Sequence, residues 1–177
     1  RTLISSLNDA EAAFYYVNYH ARLPYLQLTA RDVSKPGNFP IGHVQGPVYA
    51  AAFPEDIHLY GLSINGALPG WGTSLAAELS YRPNMPVALN GPDMNVAMIT
   101  GPGGSSAITD VPANAATTGK TLDGWERKPV WQMTTSATQI IDNVLGATRL
   151  TLLGEAGVVH VGDVGDERLG RNAAFGR

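Results

Sequence analysis

Residues 53–87 read FPEDIHLYGLSINGALPGWGTSLAAELSYRPNMPV. Successive side chains of a strand point to opposite faces. From Ile57 to Ala67 one parity carries His58, Tyr60, Leu62, Ile64 and Gly66, and the other Leu59, Gly61, Ser63, Asn65 and Ala67. After Leu68-Pro69-Gly70-Trp71 the pattern resumes. Thr73, Leu75, Ala77, Leu79 and Tyr81 stand on one side, and Gly72, Ser74, Ala76, Glu78 and Ser80 on the other. The stretch predicts an antiparallel hairpin, 56–67 and 72–82, with one apolar and one polar face. The polar face is built of Gly, Ser, Ala and Asn around one carboxylate, Glu78, which suits the crowded, wet lumen of a barrel. Tyr60 and Tyr81 fall at matching strand ends, where an outer-membrane barrel carries its aromatic girdle. The inner face of a soluble β-sandwich would be equally apolar, so both readings stay open on this stretch.

Composition narrows the field. The chain has 177 residues, enough for one domain with a core. Charged residues make up 15% of it, against roughly 25% in ordinary soluble domains. Mean hydropathy is −0.05. Low charge with middling hydropathy is what alternating strands and polar loops average to. No run of about 20 apolar residues occurs, which excludes a transmembrane helix. Net charge is −3 with no basic run, so nucleic acid is not an expected partner. There is no cysteine, which removes disulfides, thiolate metal sites and thiol nucleophiles together. Arg1-Thr2-Leu3-Ile4 opens no apolar signal segment, so either a signal has been removed or the chain is internal to a longer one.

Outward from the hairpin, residues 1–10 read as a loop or short turn. Glu11–Arg22 predicts a strand, with Ala13, Tyr15, Val17 and Tyr19 on one parity and Ala12, Phe14, Tyr16 and Asn18 on the other. Pro24 bends or breaks it, and 25–30 forms a further short run. Residues 31–46 are rich in Pro and Gly and read as loop, with a brief apolar run at 48–53. Residues 83–124 lack periodicity and read as one long loop, a length usually tied to function. Alternation returns at 130–140, and 149–161 is the last strand, with Glu155 alone among small residues. Short connections (68–71 and 141–147) then fall on one rim, and long ones (31–55, 83–124 and the tail) on the other. A barrel gives that agreement; a Greek-key sandwich does not require it.

Little in the chain resembles a reaction centre. Four histidines, His20, His43, His58 and His160, lack metal-ligand spacing. GPGGSS at 101–106 has neither the Lys of a phosphate loop nor the frame of a nucleophile elbow. Residues 162–167 offer carboxylates without a calcium-loop spacing. No cofactor, metal or catalytic residue is expected, and the chain is not read as an enzyme.

YYVNYHARLPYLQL from residue 15, FPEDIHLYGLSING and GTSLAAELSYRPNMPVAL from residues 53 and 72, and WERKPVWQMTTSATQI with LTLLGEAGVVHVG near the end occur in this order. Together they resemble the strand signature of the DUF1302 family of Gram-negative outer-membrane proteins. YHARLP is also similar to a block of the FadL long-chain fatty-acid channels. The resemblance implies a large outer-membrane β-barrel of several hundred residues, associated with traffic of lipid or hydrophobic compounds. At its length the chain matches only part of such a barrel, so the remaining strands are expected outside it.

The fold expectation is therefore all-β, an antiparallel up-and-down transmembrane barrel segment, with the soluble β-sandwich as alternative. Ser63, Asn65, Ser74, Glu78, Gln132, Thr134 and Glu155 are expected to face the lumen. Tyr15, Tyr19, Tyr60, Tyr81 and Trp131 are expected to face lipid or form the girdle. Expected partners are outer-membrane lipid, hydrophobic small molecules and the missing strands. A structural or surface-binding barrel, and a soluble binding module, are the rival functions.

Overall fold

A computed structural model describes residues 1–5, 8–30, 32–36, 44–45, 48–68, 70–92, 94–95, 119–165 and 169–170. The GPGGSS segment, His43, Pro69 and residues 166–168 lie outside these. The described chain is all-β, with strands β1 (Thr2–Ile4), β2 (Ala10–Tyr19), β3 (Tyr25–Thr29), β4 (Asp32–Pro36), β5 (Val44–Gln45), β6 (Val48–Ala52), β7 (Ile57–Leu68), β8 (Thr73–Ala88), β9 (Thr121–Asp123), β10 (Trp125–Val144) and β11 (Ala147–Val161). The chain divides into two units. One comprises residues 1–18, 58–84 and 129–162, the other 19–57, 85–128 and 163–177.

The first unit is built on a six-stranded sheet, ordered β1-β2-β7-β8-β10-β11. Sheet order follows chain order, and β1–β2, β7–β8 and β10–β11 are antiparallel. The sheet is open, with β1 and β11 as its edges. The predicted hairpin is present with its faces as read. Leu62 opposes Leu79, Ile64 opposes Ala77, Ser63 opposes Glu78 and Asn65 opposes Ala76. Its turn uses two glycines in the left-handed region, Gly70 at φ 77° and Gly72 at φ 64°. The second hairpin closes at Leu145 (φ 52°) and Gly146 (φ 78°) between the paired Val144 and Ala147. Two positive φ values fit a primed turn, which matches the twist of the flanking strands. The first turn is held against β10, where Ile140 N donates to Gly72 O at 3.2 Å and Gln139 Nε2 to Trp71 O at 2.7 Å.

In the second unit parts of the segments read as loop are strand, while 37–43 and 96–118 lie outside the described residues. β3 lies between β6 and β9 in a three-stranded sheet, and β4 pairs with β5. Its core joins Leu28 and Met94, each 1% exposed, with Ala30, Leu89, Leu122 and Leu169. Tyr25 packs edge-on against Trp125, with ring centroids 5.7 Å apart, and donates to Pro86 O at 2.8 Å. Burial, and then Tyr19, push its phenol above the usual range. The Lys128 ammonium is buried but paired, with Glu126 at 2.8 Å and Asp163 O at 2.9 Å.

Several boundaries depart from the sequence reading. Residues 2–4 form an edge strand, too short to show a period. β2 stops at Tyr19, and Ala21 N donates instead to Pro54 O. β8 runs through Pro83 and Pro86 to Ala88, although proline supplies no ladder N–H. The side chain of Asn84 takes over a ladder acceptor's role there, receiving His58 N at 2.9 Å. Residues 32–36 and 44–45, read as loop, pair with each other. β9 and the start of β10 lie where loop was expected, at 121–123 and 125–129.

Leu145 is 93% exposed and holds a left-handed conformation, which costs a non-glycine residue about 1–2 kcal/mol. Asn tolerates that region, so Leu145→Asn should raise the unfolding midpoint of the full-length protein in a denaturant titration. A lowered midpoint would show that the leucine side chain is needed.

Candidate functional site

The candidate site is the polar face of the six-stranded sheet. Ser63, Asn65 and Glu78 from the β7–β8 hairpin, Thr134 and Ser136 from β10, and Glu155 from β11 line one open recess of about 340 Å³. Strand alternation places them together, and register fixes the rows: Glu78 lies opposite Ser63, Glu155 opposite Ser136, and Thr134 opposite Gly157. Ser74 stands opposite Ala67 nearer the turn. Gln132 accepts from Arg82 Nη1 at 3.3 Å, and Ser80 Oγ accepts from the same nitrogen at 3.5 Å. The Arg82 Nε is enclosed with no bonding partner, so these long bonds are what hold the guanidinium. Ser63, Asn65, Ser74, Glu78, Gln132, Thr134 and Glu155 share one side of the sheet.

Tyr15 is a correction. It does not join the outward aromatic residues; its hydroxyl donates to Glu78 Oε1 on the polar face. The side chain starts on β2, crosses β7 and ends on β8. Gly61 makes that path possible, because a Cβ built there would overlap the Tyr15 ring. Charge-assisted bonds of this kind are the stronger ones. The sequence carries a signal for it only in combination: a strand glycine marks close approach of another group, and the hairpin register puts Glu78 near it.

On the other face the aromatic residues make a row. Tyr16 lies 5.1 Å from Tyr60 between ring centroids, Tyr60 opposes Tyr81, and Tyr81 stacks on Trp131 at 4.1 Å. His160 opposes Trp131 at one end of the row, and His58 stacks on Tyr16 and meets its hydroxyl at 2.7 Å. Offset and tilted pairs of this kind add about 0.5–1.5 kcal/mol each. Tyr60, Tyr81 and Trp131 thus share one row, which Tyr16 joins and Tyr15 does not. Tyr19 is also absent from the row: it donates to Met85 Sδ at 3.7 Å within the second unit. Below the row the face is apolar and uncovered. Leu62 is 54% exposed and Val158 61%, and Ile64, Leu75, Leu79 and Met133 are exposed as well.

Chemically, the polar face offers carboxylates, hydroxyls and amides without a nucleophile–base pair. Among the described residues no three His, Asp or Glu side chains come together in a way that could hold a metal ion. No helix of the described residues is long and apolar enough to cross a membrane. The family described as "Protein of unknown function (DUF1302)" matches residues 1–176. No curated protein and no solved structure matches the chain.

The Gly61–Tyr15 packing predicts a contrast between two strand glycines. Gly61→Ala should lower stability by about 1–3 kcal/mol through overpacking, whereas Gly154→Ala, with nothing within 4 Å, should be near neutral. Unfolding midpoints of the two variants in the full-length protein measure it; equal effects would contradict the packing.

Proposed function

We propose that the chain, which belongs to the DUF1302 family, is part of a Gram-negative outer-membrane β-barrel through which hydrophobic or lipid-like compounds pass. The apolar face lies against lipid, the polar face lines the lumen, and no catalytic step is involved. One observation carries the reading: a six-stranded sheet keeps a broad apolar face uncovered, with an aromatic row across four neighbouring strands at one end. Exposed apolar patches beyond a few hundred Å² mark interfaces or membrane contact, and aromatic rows bound the lipid band of barrels.

The dimensions agree with that use. From Tyr60 to Leu68 the strand advances eight residues, or roughly 26 Å at about 3.3 Å each. A tilt of about 40° reduces that to roughly 20 Å, near the ~25 Å apolar band of outer-membrane barrels. A β-sandwich would bury this face against a partner layer, whereas Leu62 and Val158 remain more than half exposed. Further strands complete the barrel, joining at the β1 and β11 edges, because unpaired backbone groups in lipid cost several kcal/mol each. The small residues of the polar face leave the lumen wide at this wall, which suits a passage more than a plugged structural barrel.

Arginine placed in the two faces should behave differently in the folded, membrane-inserted full-length protein. Leu62→Arg is expected to cost roughly 2–4 kcal/mol and Asn65→Arg much less, read from urea unfolding in lipid vesicles. Reconstituted protein should also speed the transfer of alkyl-chain solutes across the vesicle membrane. Correct insertion without any such flux would favour the structural or surface-binding barrel.

A further inference from the structure

Glu78 is the one carboxylate of the recess that the structure ties down. Tyr15 reaches it from two strands away, over a glycine that has to be a glycine. Ser63 stands directly opposite it. A glutamate in a solvated wall is satisfied by water alone, and a tyrosine on this face has no need to span β7. The arrangement fixes where a negative charge stands.

Carboxylates outnumber the basic group on this face, with Glu78 and Glu155 in the recess against Arg82 beside it. Glu155 lines the same recess from β11 and makes no ion pair among the described residues. Arg82 shares the face four residues along β8 from Glu78, and its partners Ser80 and Gln132 are neutral, so its charge stands as the basic counterweight there. Arg149 pairs with Asp142 at 2.8 Å, near the turn, and Arg1 with Glu11 at 3.1 Å. The remaining lining groups are hydroxyls, an amide, alanines and Ile64.

We propose that Glu78, with Tyr15 as its positioning residue, sets the charge preference of the passage. The wall favours cations, and amphiphiles whose polar group is an ammonium or an uncharged hydroxyl, over those ending in a carboxylate. The physical reason is direct. A carboxylate entering the recess meets two like charges, Glu78 and Glu155, and one guanidinium farther along β8. An ammonium meets opposite charge, and a hydroxyl finds both acceptors and donors. Acidic side chains lining a pore select cations in the same way. The inference rests on the passage reading above and adds the class of solute it carries.

The test uses the full-length protein in a planar bilayer under a potassium chloride gradient. Decyltrimethylammonium and decanoate serve as blocking probes. The wild type should show a cation-selective reversal potential and stronger block by the ammonium. Glu78→Gln should reduce the cation-to-anion permeability ratio by about fivefold, the factor for one unit charge beside another in water. Tyr15→Phe keeps the ring over Gly61 and drops the hydroxyl, so it should lose part of the ratio with conductance unchanged, which a merely structural role would not give. Glu155→Gln reads the same quantity should Glu78→Gln fail to insert. Conductance with no charge preference, or a ratio indifferent to both glutamates, overturns the inference and leaves the passage standing. Absence of conductance from correctly inserted protein overturns the passage reading and this inference with it.

Discussion

The ladder between Ile57–Leu68 and Thr73–Ala88 decides which side chains share a face, and the rest of the sheet inherits that decision. Its register runs unbroken from Tyr60 opposite Tyr81 to Leu68 opposite Thr73. A slip of one residue would exchange the faces of one strand, placing Ser63 and Asn65 among leucines and Leu62 in the recess. Three things hold the register: the glycine turn after Leu68, the matched alternation on both arms, and the Tyr15 side chain that bridges β2 to β8 across Gly61. The aromatic row and the Glu78–Glu155 recess are the two consequences of this one alignment.

The two units solve the burial problem in opposite ways. In the second, leucines and a methionine from distant parts of the chain bury one another, and Leu28 and Met94 lose nearly all exposure. In the first, the apolar side chains are spread over a single broad surface and stay half open. Each buried apolar Å² is worth about 25 cal/mol, so a surface of this kind stays unstable in water until something covers it. On the proposed reading lipid is that cover, and it also accounts for the tyrosines and tryptophan at one end, whose rings prefer a boundary between apolar and wet surroundings.

Much of this was legible in the residues. The β7–β8 hairpin and β10 announce themselves by alternation against a face of small polar residues, and β7–β8 and β10–β11 pair as neighbours in the chain. Tyr15 was not legible, because β2 carries aromatic residues on both parities: Phe14 and Tyr16 on one, Tyr15 and Tyr19 on the other. Only the neighbouring strand settles which side is which. The tail of β8 was hidden by Pro83 and Pro86, which read as breakers, and by the use of Asn84 as a side-chain acceptor. The second unit left no periodic trace, since its core assembles from Leu28, Leu89, Leu122 and Leu169, too far apart in sequence for a local pattern.

Nitroxide labels placed singly at positions 74 to 79 of the full-length protein in outer-membrane vesicles put the central claim to its most direct test. Collisions with molecular oxygen report lipid, and collisions with a water-soluble nickel chelate report the lumen. The account predicts strict alternation, with 75, 77 and 79 favouring oxygen and 74, 76 and 78 favouring nickel. Equal access of the chelate to both parities would contradict it and show a sheet bathed in water on both faces.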